Sequence, residues 1–420
     1  MTQLTKPKVA IVGSGITGLV CAYKLHQDYD IQVFEANDHI GGHTHTVDIQ
    51  HKGDSQSIDT GFIVFNTWTY PNFIQLIDEI GVPWKETAMS FSVKCEKSGL
   101  EYNGTSLSGI FSQKRNLITP GFWNMLREIV VFGDKARELI QLKDNISVND
   151  FLKREGFGKR FIEHYFIPMG ASIWSCPPDT FGAFPMRFIA EFYENHGMLN
   201  IQDRPVWRVI DGGSSAYLKP LTKNFSNRIR TSTPITRIYR KDQKVHLHTP
   251  TSVETYDYVI MATHADQSLN MVTDLNELER ESLSAFPYQK NQVTLHTDTN
   301  IMPETHMAWA SWNYRIKKSG ERKATLTYNM TMLQKLNTPH TYLVSLNSDD
   351  DIDESKVIRR FSYEHPVFQA QLYQSRDHLK SHAFDNLIGF GGAWMGNGFH
   401  EDGVSSALNL CKKLNEVLNV

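Results

Sequence analysis

The six residues GSGITG at positions 13–18 constrain this chain more than any other feature, because of what flanks them. Residues 8–12, KVAIV, form a short β-branched run of the kind buried in a parallel sheet. Residues 16–28 read as a helix, and 31–36, IQVFEA, read as a second strand that ends at Glu35. Strand, glycine turn, helix and strand make a βαβ unit. Each glycine in it has a mechanical task. Gly13 permits the tight turn, Gly15 lets a pyrophosphate approach the backbone, and Gly18 lets helix and strand pack closely. Ser14, Ile16 and Thr17 complete the loop and open the helix, whose N-terminus offers unpaired N–H groups and a positive dipole end to phosphate. Glu35 stands about twenty residues further on, where an acid binds the adenosine ribose. The unit predicts a dinucleotide site and does not by itself separate FAD from NAD.

The rest of the chain predicts two interleaved domains. Its 420 residues exceed one ordinary core. A net charge of −3 gives no basic excess, so no nucleic acid partner is expected. The four cysteines, Cys21, Cys95, Cys176 and Cys411, form no CxxC pair. With no cleavable signal pattern and no apolar run of about 18 residues, a cytoplasmic protein is expected. Residues 83–204 read as a mostly helical insertion, with an amphipathic helix at 121–142 that places Phe122, Met125, Ile129, Phe132, Ala136 and Leu139 on one face. Short strands return after 205, and a final helix is expected to begin at Gly403 and Val404. The acidic run at 349–354 lacks the glycine of a calcium loop and reads as solvated. The His43-x-His45 pair lacks further ligands in a recognisable spacing, so no metal is expected.

Residues 35–46, EANDHIGGHTHT, resemble a stretch of the flavin amine oxidase superfamily, where a glutamate is followed by Gly-Gly-Arg and a Thr-rich extended segment. The resemblance continues at 58–63 (IDTGFI), 207–216 (WRVIDGGSSA), 233–235 (TPI), 389–394 (GFGGAW) and 398–406 (GFHEDGVSS), in the family's order. It implies an α/β fold in which a Rossmann-type FAD domain (1–82, 205–270, 385–420) interleaves with an α+β substrate domain (83–204, 271–384). It implies non-covalent FAD, because Cys411 lies too far into the last helix to be an anchor. Beyond the loop and Glu35, it carries cofactor contact to Ala36, Gly42, His43, Thr44, Gly61, Phe62, Ile63, Ile235, Gly392, Ala393, Glu401, Gly403 and Val404. More narrowly, GGHTHTV, ATHAD, LHTD and NGFHEDG resemble a bacterial subgroup associated with cyclopropane or methyl-branched fatty acid synthesis.

Several positions depart from the family pattern. Asn37, His39 and His43 replace arginines near the phosphates and ribose, and histidine lacks arginine's fixed charge and fork. Gly391-Gly392 replaces a Gly-Asp pair, so that contact must come from backbone N–H groups or elsewhere. The strand at 291–296 carries no lysine where many amine oxidases hold one, and Lys290 is one residue off, hence on the other face. A single GxGxxG argues against a separate nicotinamide domain.

The resemblance therefore implies an FAD-dependent oxidoreductase that desaturates or isomerises an unsaturated or methyl-branched fatty acyl chain. A flavin amine oxidase releasing imine and peroxide is the alternative. A flavin-binding partner of a lipid methyltransferase is a third reading. Peripheral contact with the inner membrane face is one reading of the lipid chemistry, and the 121–142 helix reads as core packing ahead of a membrane contact. Asp402 reads as a helix cap, and Glu401 as either a flavin contact or a surface residue. His264 reads as a loop histidine, and His296 and His400 as weak catalytic candidates. Tyr165, Phe166, Trp174, Phe181, Phe184, Phe188, Phe192 and Tyr193 read as helix packing or a tunnel lining. No general base is assigned.

Overall fold

The βαβ unit forms the middle of a five-stranded parallel sheet in the computed structural model, which describes residues 6–142, 146–200, 202–319, 323–369 and 371–418. The strand order is Ile229–Arg230, Asp30–Phe34, Lys8–Val12, Tyr258–Met261, Ile388–Phe390. Four of the five residues of Lys8–Val12 are buried, as a strand covered on both faces requires. The chain leaves Lys8–Val12 toward Asp30–Phe34 on one side, and Tyr258–Met261 joins on the other. That reversal opens a crevice at the carboxyl ends of the strands, where such sheets bind ligands. The helices Ile16–Leu25 and His400–Leu418 pack together on this sheet.

A second sheet has seven strands: Val357–Pro366, Tyr288–His296, Leu343–Leu346, Leu326–Asn329, Trp312–Ile316, Phe91–Cys95 and Leu100–Asn103. Its pairings are antiparallel except Trp312–Ile316 with Phe91–Cys95. The hairpin Thr46–His51 and Asp54–Asp59 carries Val47, Ile49 and Ile58 into a core shared with Val293, Leu295 and Val344 of this sheet. The segment after the phosphate loop is thereby tied to the second sheet.

The region 83–204 differs from expectation at its start. Trp84–Thr87, Phe91–Cys95 and Leu100–Asn103 are strands, and the helices begin only at Leu107. Trp84–Thr87 pairs with Trp207–Ile210, so hydrogen bonds cross both sequence boundaries placed at 83 and 205. The amphipathic helix spans Pro120–Leu142 and buries Phe122, Met125, Phe132, Ala136 and Leu139, with Ile129 half-buried. The aromatic residues pack densely, with Phe132 4.8 Å from Phe166 and Trp174 4.9 Å from Phe192 between ring centroids. Asp349 and Asp351 in the acidic run are half-buried, and Asp351 pairs with Arg315. No helix among the described residues is long and apolar enough to cross a membrane.

Candidate active site

The three glycines of the loop divide by what a methyl group would meet. At Gly13 (φ 102°) it would stand 2.6 Å from the Ala262 carbonyl oxygen, and at Gly18 it would stand 1.9 Å from the Gly13 carbonyl oxygen. At Gly15 it would meet nothing within 4 Å. Close packing of strand and helix thus explains Gly13 and Gly18 but leaves Gly15 facing open space. Gly15 is also the N-cap of Ile16–Leu25 and supplies no side-chain cap. A bare backbone at an uncapped helix N-terminus fits a pyrophosphate.

Neighbouring groups hold this loop rigid. The Glu35 carboxylate accepts from the Ser14 N–H (3.0 Å), the Ser14 hydroxyl (2.6 Å) and the Asn37 N–H (2.9 Å). Ala36 is exposed beside it. The Gly41 N–H donates to the Ser14 carbonyl (2.9 Å), and a methyl on Gly42 (φ 59°) would stand 3.2 Å from the Gly15 Cα. The Gly-Gly pair therefore runs directly against the phosphate loop. Ile235, buried, enters the meander that follows.

Other expected contact residues have side chains engaged within the protein. The last helix begins at His400, three residues before the expected start. A methyl on Gly403 would stand 2.6 Å from Ile16 Cγ2, the Thr17 hydroxyl donates to the Gly403 carbonyl (3.0 Å), and Val404 is core. Glu401 turns away from the loop. Its carboxylate accepts from the N–H groups of Asn72 (3.2 Å) and Phe73 (2.9 Å), capping the helix Pro71–Glu79, whose own N-cap residue, Tyr70, makes no side-chain cap hydrogen bond. Asp402 accepts from the Phe399 N–H (2.9 Å), a capping contact, and burial pushes its carboxyl up to about 6. The Gly391 N–H donates to the Met261 carbonyl (2.9 Å) and the Gly392 N–H to the Ser406 hydroxyl (3.1 Å), so neither donor stands in for the family's aspartate. Ala393 opens the turn Ala393–Met395, and Ile63 is core.

Beyond Gly42 the walls become side chains. A methyl on Gly61 would stand 2.2 Å from the His43 carbonyl oxygen, which accepts from the Phe62 N–H (2.7 Å). Phe62 lies flat on His400 at 3.5 Å. His400 Nε2 is 3.0 Å from both the Thr44 and Tyr217 hydroxyls. The His43 ring faces the second sheet: His365 lies 5.6 Å, Tyr363 5.4 Å and His264 6.1 Å away. Its Nε2 is buried and has no partner within the protein. His45 Nδ1 meets the Tyr363 hydroxyl at 2.6 Å, and Thr60 joins them at 2.8 Å. A cavity of about 510 Å³ opens beside the same segment, lined in part by His39, Thr44, His45 and Ser215.

Burial sets the charge state of the rings around His43. It pushes His43 down to about 4, helped by His264, and His365 down to about 3, helped by His43 and His264. His400 falls to about 3 by burial and the proximity of His43. His264 is lowered by burial, although Glu364 opposes the shift at 3.6 Å. The rings are neutral at pH 7 and so close that a proton on one disfavours a proton on the next. Lys290 is exposed and pairs with Glu364, and Asn291 occupies the buried face of its strand. His296 is fixed inside the sheet by Ser345 (2.8 Å). Among the described residues no cluster of three or more His, Cys, Asp or Glu is placed to hold a metal ion.

Sequence reading missed Tyr217, Tyr288, Tyr363 and His365. The signal for two of them was available: 361, 363 and 365 alternate on one strand face as Phe, Tyr and His. Tyr288 stacks on His264 at 4.2 Å, and no local pattern announces that contact.

The chain is similar to known proteins in sequence and in fold. The profile of the family described as "Flavin containing amine oxidoreductase" matches residues 16–364. The 15-cis-phytoene desaturase of Arabidopsis thaliana is 27% identical over 192 residues, covering 41% of this chain and 32% of that one. The mitochondrial protoporphyrinogen oxidase of Nicotiana tabacum is 30% identical over 182 residues, covering 41% and 34%. The chain thus matches about a third of the length of these curated relatives. Among solved structures, a putrescine oxidase superposes with a TM-score of 0.72 at 14% identity over 98% of this chain and 99% of that one. A CLA-producing fatty acid isomerase from P. acnes superposes at 0.68 and 16% identity, over 99% of each chain. These two likenesses are of fold. With the family profile covering most of its length, the chain belongs to the flavin containing amine oxidoreductases and is an FAD-dependent oxidoreductase.

Proposed function

We propose that this enzyme desaturates, or isomerises by hydride removal and return, an unsaturated or methyl-branched fatty acyl chain. The supporting observation is the ring cluster: His43, His264, His365 and His400 lie together, held neutral or pulled toward neutrality by burial, and Lys290 is exposed and paired with Glu364 on the other face of its strand from Asn291. Buried neutral surroundings penalise a charged reacting group and suit a hydrocarbon. FAD, when bound, supplies the hydride acceptor. In this reading FAD is held without a covalent bond. Gly15 and Gly42 would hold its pyrophosphate, Glu35 its ribose, and His43, Gly61 and Phe62 its flavin end. The parallel sheet with residues 1–82, 205–270 and 385–420 carries the cofactor, and residues 83–204 and 271–384 shape the substrate chamber. A desaturase and a fatty acid isomerase stand among the chain's likenesses, and these are the reaction types assigned here.

The substrate's source is a membrane in this reading. Leu107, Leu117, Ile118 and Trp123 are exposed around the start of the Pro120–Leu142 helix, Ile118 by 84%, with exposed Lys114 and Arg115 beside them. Apolar side chains ringed by basic ones suit the surface of an anionic bilayer. Holoenzyme incubated with vesicles carrying these acyl chains and an artificial electron acceptor is expected to return chains with a double bond added or moved. Unchanged chains would overturn the assignment. Ile118→Glu should weaken co-sedimentation with anionic vesicles without changing flavin content.

A further inference from the structure

The histidine that faces His43 from the second sheet is contacted by one of two linked asparagines. Asn347 follows the strand Leu343–Leu346 with φ 53°, a left-handed conformation that asparagine tolerates better than most residues. Backbone groups fix which way its amide points. The Gln292 N–H donates to Asn347 Oδ1 (3.2 Å), and Asn347 Nδ2 donates to the Ala324 carbonyl (3.1 Å). A carbonyl only accepts and an N–H only donates, so oxygen and nitrogen cannot be exchanged at Asn347. The same Nδ2 donates to Asn291 Oδ1 (2.9 Å). Asn291 must then present Nδ2 to His365, 3.0 Å from Nδ1. An amide N–H needs a lone pair, so His365 Nδ1 is unprotonated and the ring proton sits on Nε2. Asn291 is 1% exposed, so no solvent competes for these contacts.

We propose that Asn347 and Asn291 are positioning residues that lock His365 as the neutral Nε2–H tautomer, making it an uncharged hydrogen-bond donor to the bound flavin. His43 stands beside it: its Nε2 is buried without a partner, and its ring centroid lies 5.6 Å from that of His365. The inference rests on the flavin reading above but not on the identity of the substrate.

The test is the imidazole ¹⁵N spectrum of the holoenzyme labelled at histidine, with the His365 signals identified by their loss in His365→Gln. At pH 7 the expected pattern is a pyridine-type Nδ1 and a pyrrole-type Nε2. Asn291→Asp offers only acceptors, so it should move a proton onto Nδ1. Asn347→Gly, compatible with the positive φ, should blur the preference into a mixture and keeps the test alive should the Asp variant not fold. A protonated Nδ1 in the wild type, or an unchanged spectrum in both variants, overturns the relay. The flavin midpoint potential gives the second readout. His365→Leu should lower it, because a donor that favours electron-rich reduced flavin is lost, and His365→Gln, which keeps an N–H, should restore most of it. Equal potentials in all three proteins overturn the donor role. Neither readout uses substrate, so their failure is separate from failure of the acyl-chain assignment.

Discussion

The phosphate loop and the histidine chamber share one stretch of chain, yet they are built from different materials. The loop is backbone: Gly13, Gly15 and Gly18 work by lacking side chains, and Glu35 braces them from one strand away. The chamber is side chain, gathered from six stretches that carry His43, Phe62, Tyr217, His264, His365 and His400. A backbone site is specified by local spacing and depends on the fit of a few atoms. A chamber of this kind is specified by topology and depends on burial. The two regions should therefore fail differently when altered.

The sharpest contrast lies between two neighbouring glycines. Gly18→Ala would push a methyl to 1.9 Å from the Gly13 carbonyl, on backbone that cannot yield. It should destabilise the fold by about 3 kcal/mol, the upper part of the overpacking range, read as a drop in the thermal midpoint. Gly15→Ala meets nothing within 4 Å and has φ −66°. It should leave the apo-protein's thermal midpoint unchanged and weaken FAD affinity by about tenfold, or about 1.4 kcal/mol. Equal effects of the two substitutions on stability would erase the distinction.

Acid should act on the chamber before the loop. A buried histidine whose folded pKa lies below its unfolded value of 6.5 favours the folded state fully above that pH. Its contribution is lost as pH falls from 6.5 toward the folded value, because the unfolded chain binds the proton first. His43, at about 4, and His365 and His400, at about 3, all act in this direction. Asp59 and Asp402, both raised to about 6 by burial, oppose them, since the folded state takes up their protons first as pH falls below 6. The histidine shifts are more numerous and larger, so stability should decline between pH 6.5 and 4. Chemical denaturation across that window checks it, and a rise in stability on acidification would contradict the burial of the rings.

Smaller effects separate the chamber's members. His43→Ala removes a buried nitrogen that has no partner within the protein. Its loss should weaken FAD retention by about fivefold, equivalent to about 1 kcal/mol, measured by flavin titration. Lys290→Met should alter neither flavin affinity nor flavin potential, because that side chain is 76% exposed on the other face of its strand.

The same contrast explains what the sequence revealed. The parallel sheet, the glycine turn and the acid at 35 are local, and their spacing made them legible. The amphipathic helix was read to within a residue at its start because its period is local too. Glu401 misled because its carboxylate answers the N–H groups of Asn72 and Phe73, more than 300 residues away in sequence. The strands at 84–103 were read as part of a helical region because two of them join a sheet whose other members lie beyond residue 287. His43 was assigned to phosphate on the strength of the residue it replaces. Its backbone does adjoin the phosphate loop, but its ring packs on Tyr363 and His365, which only the long connection to the second sheet brings near.

The central claim is that a buried cluster of neutral histidines in a flavin enzyme serves an acyl chain. It is tested most directly by presenting two substrates to the oxidised holoenzyme without oxygen. Vesicles of unsaturated or methyl-branched phospholipid are added in one cell and putrescine in the other, and the visible flavin band and the products are followed together. The account predicts acyl chains with a double bond added or moved, with bleaching of the band if the hydride is retained, and no change with the amine. Bleaching by putrescine, peroxide on readmitting air and unaltered acyl chains would contradict it.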